Sequence, residues 1–304
     1  MLDRLMPGVV VALPQDANIT EYVQVNSGTL PASSLYEHTA SKSAYEPGAV
    51  VPRFEWRGPT RDEAAILSTP HPAGSVAMSV ALVQFGATVE HHLSTIREEC
   101  SGNRRVQALK QILGRKLCRD AFQAISTVID DRFRVPGCLV SEAQAGGFCV
   151  KLSEHPTTTV NPRTNLLVGL HLDDWYDLPL AKRKHAANRI CLNAGDADRF
   201  FLFLNVPIWT ICEILRRRPL DELKGLVGGE RIASCDLESL HRSVGGTNVA
   251  RAFMQLFPDY PVVRIRIGPG QAYMAPTEGI VHDAGGGANP DVTIMLRGFF
   301  RPSD

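Results

Sequence analysis

From about residue 136 onward the apolar positions fall into short runs. In FCVKLSE, Phe148, Val150 and Leu152 alternate with Cys149, Lys151 and Ser153. That period of two marks a strand with one buried face. Further apolar runs follow, NLLVGLHLD, NRICLN, RFFLFLNVPIW, VVRIRI, QAYMA and VTIMLRGFF, separated by Gly, Pro, Asp and Asn. Two helical stretches interrupt them, TICEILRRR after Trp209 and TNVARAFMQLF before Pro258. Many short strands with turn signals between them predict a sandwich, barrel or jelly roll.

Upstream the period changes. Leu109, Leu113, Leu117, Ala121, Ile125 and Ile129 recur every four residues, predicting one long amphipathic helix over 103–134 that lies against a sheet. Gly114 weakens its middle by about 1 kcal/mol relative to alanine, and Pro136 closes it. This helix is also where an oligomer could form. Residues 1–100 are irregular, rich in Pro, Gly, Ser and Thr, with a few strands or short helices such as the run SVAMSVALVQF. The expected organisation is one structural unit, with 1–100 as an N-terminal extension packing on a 101–304 core.

Composition narrows the function classes. Lys+Arg and Asp+Glu are both 32, so the formal charge is zero and offers no footprint for nucleic acid or a membrane surface. Seven cysteines without C-x-x-C spacing argue against a disulfide framework or structural zinc and point to a reducing cytoplasm. The N-terminal apolar stretch is broken by proline and does not read as a signal peptide. No run of about 18 apolar residues reads as a membrane span.

The chemistry centres on His171-x-Asp173, which closes an aliphatic run. Residues i and i+2 of a strand share a face, so both side chains can converge on one ion. His282, in PTEGIVHDAGGG, supplies a second imidazole at the end of another apolar stretch. Two histidines and one carboxylate leave positions open on a metal, a geometry that suits non-haem Fe(II). Arg297 lies fifteen residues further on, in a strand otherwise full of Ile, Met, Leu and Phe. Its burial needs an anionic partner, and a guanidinium grips a carboxylate bidentately. Thr293 has the same strand parity and offers a hydroxyl to the same group.

In order and spacing, His171-x-Asp173, His282 and Arg297 resemble the Fe(II)/2-oxoglutarate-dependent oxygenases, over roughly residues 136–301 and with clavaminate-synthase-like spacing. The resemblance implies a mainly β fold with helices (α+β), built on a double-stranded β-helix, or jelly-roll, core. It also implies Fe(II) held by His171, Asp173 and His282, with 2-oxoglutarate and O2 as co-substrates and the distal carboxylate of 2-oxoglutarate on Arg297. Thr293 and Asn205 become co-substrate pocket residues, and Trp175, Tyr176 and Arg189 substrate-pocket residues. A carboxylate at 173 favours hydroxylation, desaturation or ring formation over halogenation. The expected substrate is a small molecule, an amino acid or natural-product intermediate, with neither nucleic acid nor membrane as partner. The first hundred residues match no named pattern, so no substrate transfers.

Three rivals stand beside this reading. A cupin-type metalloenzyme would want a histidine where Asp173 stands. A non-catalytic jelly-roll module would not need four intact site residues, and a zinc hydrolase leaves Arg297 unexplained. Asp174 points to the other face of its strand and is expected to be solvated or to support the site.

Overall fold

A computed structural model describes residues 2–36, 44–69, 78–135, 146–151, 155–175, 177–227, 246–285 and 291–301. Tyr176, Cys138, Cys235 and the segment around His71 lie outside the described residues.

Twelve strands are described: β1 Val10–Ala12, β2 Val23–Val25, β3 Thr29–Pro31, β4 Val50–Pro52, β5 Ser79–Gln84, β6 Gly147–Lys151, β7 Asn188–Asn193, β8 Arg199–Pro207, β9 Val263–Ile267, β10 Gln271–Ala275, β11 Ile280–Gly285 and β12 Asp291–Gly298. They form a six-stranded sheet ordered β1-β5-β10-β7-β12-β6, a four-stranded sheet ordered β11-β8-β9-β2, and the ribbon β3-β4. Every pairing is antiparallel except β1 with β5. From β7 onward the chain passes back and forth between the two large sheets. The first hundred residues add β1 and β5 to one and β2 to the other. The protein is thus mixed α+β, with its sheets mostly antiparallel.

Period-two alternation divides each strand between two cores. Facing inward, Val80, Leu82, Cys191 and Tyr273 of the large sheet meet Phe201, Phe203, Val263 and Ile265 of the smaller one. The alternate residues Ile190, Leu192, Ile294 and Leu296 face outward, onto helices α3 (Ala87–Cys100), α4 (Val106–Leu113) and α5 (Lys116–Phe133). On the other side, Leu202, Leu204 and Val206 of β8 pack on α6 (Ile208–Arg216) and on a helix over Gly246–Leu256. Both sheets are therefore covered outside by helices and meet each other inside. Among the described residues no helix is long and apolar enough to cross a membrane.

The single helix expected over 103–134 is two helices. Gly114 ends α4, and Arg115 is extended (φ −70°, ψ 155°) before α5 begins. The break shifts the phase of the stripe. Leu109, Leu113, Ala121, Ile125 and Ile129 are buried, but Leu117 is 51% exposed and Cys118 takes its place inside. The NLLVGLHLD run also differs from a regular strand. Among the described residues it makes only isolated bridges, Tyr45 and Val160 to Leu167 and His171 to His282. Gly169 adopts φ +77°, and a Cβ there would lie 2.5 Å from the Val50 carbonyl, so the chain kinks where β4 crosses it.

This re-phasing is testable by urea denaturation. Ile129→Ala should lose about 2–5 kcal/mol, whereas Leu117→Ala should change stability by less than about 0.5 kcal/mol. Equal losses would mean that the helix is continuous.

Candidate metal centre

Two histidines from distant parts of the chain stand opposite each other. His171 donates its backbone N–H to the His282 carbonyl (3.0 Å), and His282 returns the bond (2.8 Å). Directly opposed residues of antiparallel chains project to the same face, and the two rings lie with centroids 4.7 Å apart. Asp173, two residues after His171, shares that face. Nε2 of His171 is 3.7 Å from Asp173 Oδ1, and Nε2 of His282 is 3.5 Å from Asp173 Oδ2.

Each ring is held by a local carbonyl: Nδ1 of His171 lies 2.8 Å from Gly169 O, and Nδ1 of His282 3.1 Å from Ile280 O. A carbonyl partner requires the proton on Nδ1, which leaves Nε2 of each ring facing Asp173. One ligand atom from each of the three buried residues falls within 4.8 Å of the others. Nε2 of His282 is buried without a hydrogen bond. A buried ring nitrogen left in this way is costly, and a divalent cation between the three residues would satisfy it. The donor set fits a metal.

Electrostatics favour the same arrangement. Burial opposes a charged His171, but the Asp173 and Asp283 carboxylates outweigh it and push its pKa up to about 9. Burial lowers His282, only partly offset by Asp173. Asp173 is buried, yet Arg189 and the histidines hold its carboxyl well below the usual range.

Several supporting residues carry no signal readable in sequence. Arg183, 1% exposed, donates to the carbonyls of Asp173 (3.0 Å) and Glu278 (3.1 Å) and pairs with Asp174. It thereby ties the loop after the first histidine to the turn before the second. Burial pushes the Glu278 carboxyl up to about 7 against the pull of Arg183. Asp283 Oδ2 lies 3.6 Å from His171 Nδ1, while its Oδ1 accepts from Thr159 Oγ1 (2.8 Å) and Ala284 N (2.6 Å). The HD pair in IVHDAG was the one hint of it.

The other expected residues divide. Arg189 reaches Asp173 Oδ2 at 2.7 Å. Its guanidinium carbon is 4.7 Å from the Trp175 ring centre, and that of Arg297 is 4.8 Å from the same ring. Thr293 lies elsewhere on β12, accepting from Arg199 Nη1 (2.6 Å) and donating to Asp291 Oδ1 (3.2 Å). Arg199, 3% exposed, was missed because it opens a strand behind a charged turn, DADRF, where an arginine ordinarily meets solvent. A narrow cavity of about 30 Å³ links these groups, lined by His282, Arg189, Arg199, Tyr273, Thr293 and neighbours. Asn205 is not among its lining residues. Its amide donates to Met6 O (2.7 Å) and accepts from the Tyr260 hydroxyl (2.7 Å), anchoring the N-terminal segment.

No protein-family model matches the sequence, and no curated protein matches it. Among solved structures, the chain is similar to the Kdo hydroxylase KdoO, a non-haem Fe(II) alphaketoglutarate-dependent dioxygenase solved with alphaketoglutarate and Fe(III). The identity is 12% over 73% of this chain and 81% of that one, with a TM-score of 0.33. At that score the likeness carries no weight for the chemistry, which rests on the atoms above.

Metal binding should depend steeply on pH. An imidazolium cannot ligate, so His171 must lose a proton as the metal enters. Below about 9 the apparent Zn(II) affinity should fall by up to about tenfold per pH unit. The metal-free protein should behave oppositely. A raised histidine pKa stabilises it fully below the unfolded value of 6.5, and that contribution disappears as pH rises through about 9. Calorimetric Zn(II) titration and thermal melts across this range check both signs, and a flat affinity profile would refute the site.

Proposed function

We propose that the protein is a non-haem Fe(II)/2-oxoglutarate-dependent oxygenase that oxidises a small molecule by hydroxylation, desaturation or cyclisation. One observation carries this reading: His171, Asp173 and His282 form one buried ligand cluster, and His282 lines a cavity together with the buried Arg199. Two neutral imidazoles and one carboxylate leave half of an octahedral ion free. The division of β7, β10 and β12 to one sheet and β8, β9 and β11 to the other supports a double-stranded β-helix core. At the edge of the smaller sheet, His171 bridges to His282 of β11.

Bound here, Fe(II) and 2-oxoglutarate would supply the oxidative chemistry, O2 being consumed as the 2-oxo acid is converted to succinate and CO2 and the substrate is oxidised. The chain's own residues bind, orient and exclude water. His171, Asp173 and His282 hold the metal, and Gly169 and Ile280 fix the imidazole tautomers. Phe201 stacks on Tyr273 with centroids 4.1 Å apart and packs against His282 at 5.7 Å, walling the centre with apolar surface. We assign the distal carboxylate of 2-oxoglutarate to Arg199 with Thr293, in preference to the Arg297 expected from spacing. Arg199 and Thr293 line the cavity together with His282, whereas Arg297 is not among its lining residues. The described cysteines are free thiols, in keeping with a cytoplasmic enzyme.

The test is an anaerobic titration of the apoprotein with Fe(II) and 2-oxoglutarate, following the weak visible charge-transfer band of the chelate. The wild type should develop the band, and His282→Ala should lose it. Arg199→Ala should require about tenfold or more 2-oxoglutarate, as expected when one member of a buried charge pair is truncated. If the folded, metal-loaded wild type shows no band, the oxygenase reading fails. If Arg297→Ala rather than Arg199→Ala weakens 2-oxoglutarate, the two arginines exchange roles.

A further inference from the structure

Arg297 stands out among the cations of the inter-sheet space. It lies directly opposite Arg189 in the β12–β7 register, on the same face, and both guanidiniums rest on Trp175. Like charges directly opposed across antiparallel strands repel, and partial burial of both increases the cost. Arg189 has Asp173 as counter-charge. Arg297 has no ion pair or hydrogen bond to any described residue, and its Nε is buried without a partner. Its contact with Trp175 orients the guanidinium but cannot neutralise it. The arrangement is that of an anion site lacking its anion.

Resting on the oxygenase reading, we propose that Arg297, braced by Trp175 and Arg189, binds a carboxylate of the substrate, so that the enzyme acts on small carboxylic acids. Local pairing selects this class. Arg189 is matched by Asp173 at 2.7 Å and Arg199 by Asp291 at 3.4 Å, whereas no carboxylate among the described residues pairs with Arg297. A monoanionic carboxylate matches its single charge and suits the planar guanidinium fork. The location fits a substrate anchor, because the same Trp175 is shared by Arg189, which touches the metal ligand Asp173. A carboxylate held there places the rest of the molecule beside the metal.

The test uses a matched pair of probes, N-acetylglycine and its neutral amide, N-acetylglycinamide. Their binding to the full-length Zn(II)-loaded protein saturated with 2-oxoglutarate is followed by ligand-observed NMR. The acid should bind about tenfold or more tightly than the amide. Arg297→Gln should abolish that preference while leaving 2-oxoglutarate affinity unchanged and without lowering the melting temperature, and Arg297→Lys, which keeps the charge, should retain part of it. Equal binding of the two probes to wild type, or an undiminished preference in Arg297→Gln, would overturn the substrate site alone. Loss of 2-oxoglutarate affinity in Arg297→Gln would overturn it too, by giving Arg297 to the co-substrate. A wild type that binds no 2-oxoglutarate would instead sink the oxygenase reading, and the substrate assignment with it.

Discussion

The pair of backbone hydrogen bonds between His171 and His282 is the contact on which the rest of the centre depends. Two segments more than a hundred residues apart meet there, and the meeting alone makes two histidines neighbours. Once they are opposed, strand parity delivers Asp173 to the same face with no further cost, and local carbonyls point both Nε2 atoms inward. The kink at Gly169 makes the contact possible by letting the segment dip beneath Val50 and emerge beside β11. Arg183 then fastens the loop beyond Asp173 to the turn before β11, so the pairing is held from both sides.

A second constraint is charge in a confined apolar space. The inner faces of the sheets bring Arg189, Arg199 and Arg297 close to a buried carboxylate and two imidazoles. Each cation has a different answer to desolvation. Arg199 lies in a polar cluster with Asp291 and Thr293, and Arg189 leans on Asp173. Among the described residues Arg297 has only the face of Trp175. Phe201 stacks on Tyr273 and packs against His282, adding apolar surface beside these charges, and a low local dielectric strengthens their interactions.

Much of this was legible in the chain. The short apolar runs between turn residues report the strands from β6 to β12 directly, and His-x-Asp declares a shared face because the strand period is two. Helix phase was less legible. A four-residue stripe running through Gly114 looks continuous, and only the packing of α4 and α5 shows that the stripe restarts one residue later, exposing Leu117 and burying Cys118. The family resemblance makes Asn205 a pocket residue, yet an amide can be consumed by any polar neighbour. Here the neighbours are Met6 and Tyr260, from opposite ends of the chain.

What the sequence determined by itself was local: strand periodicity, turn positions, and the residue types and parity of a metal-binding triad. Tertiary structure alone decided which cation meets which anion. Sequence context draws attention to Arg297, inside an apolar run, over Arg199 behind a charged turn, but tells the partner of neither. Cross-strand register sets one beside Thr293 and Asp291 and the other opposite Arg189 over Trp175. Register is a property of two strands at once, set by how their buried faces pack, so neither strand's sequence contains it alone.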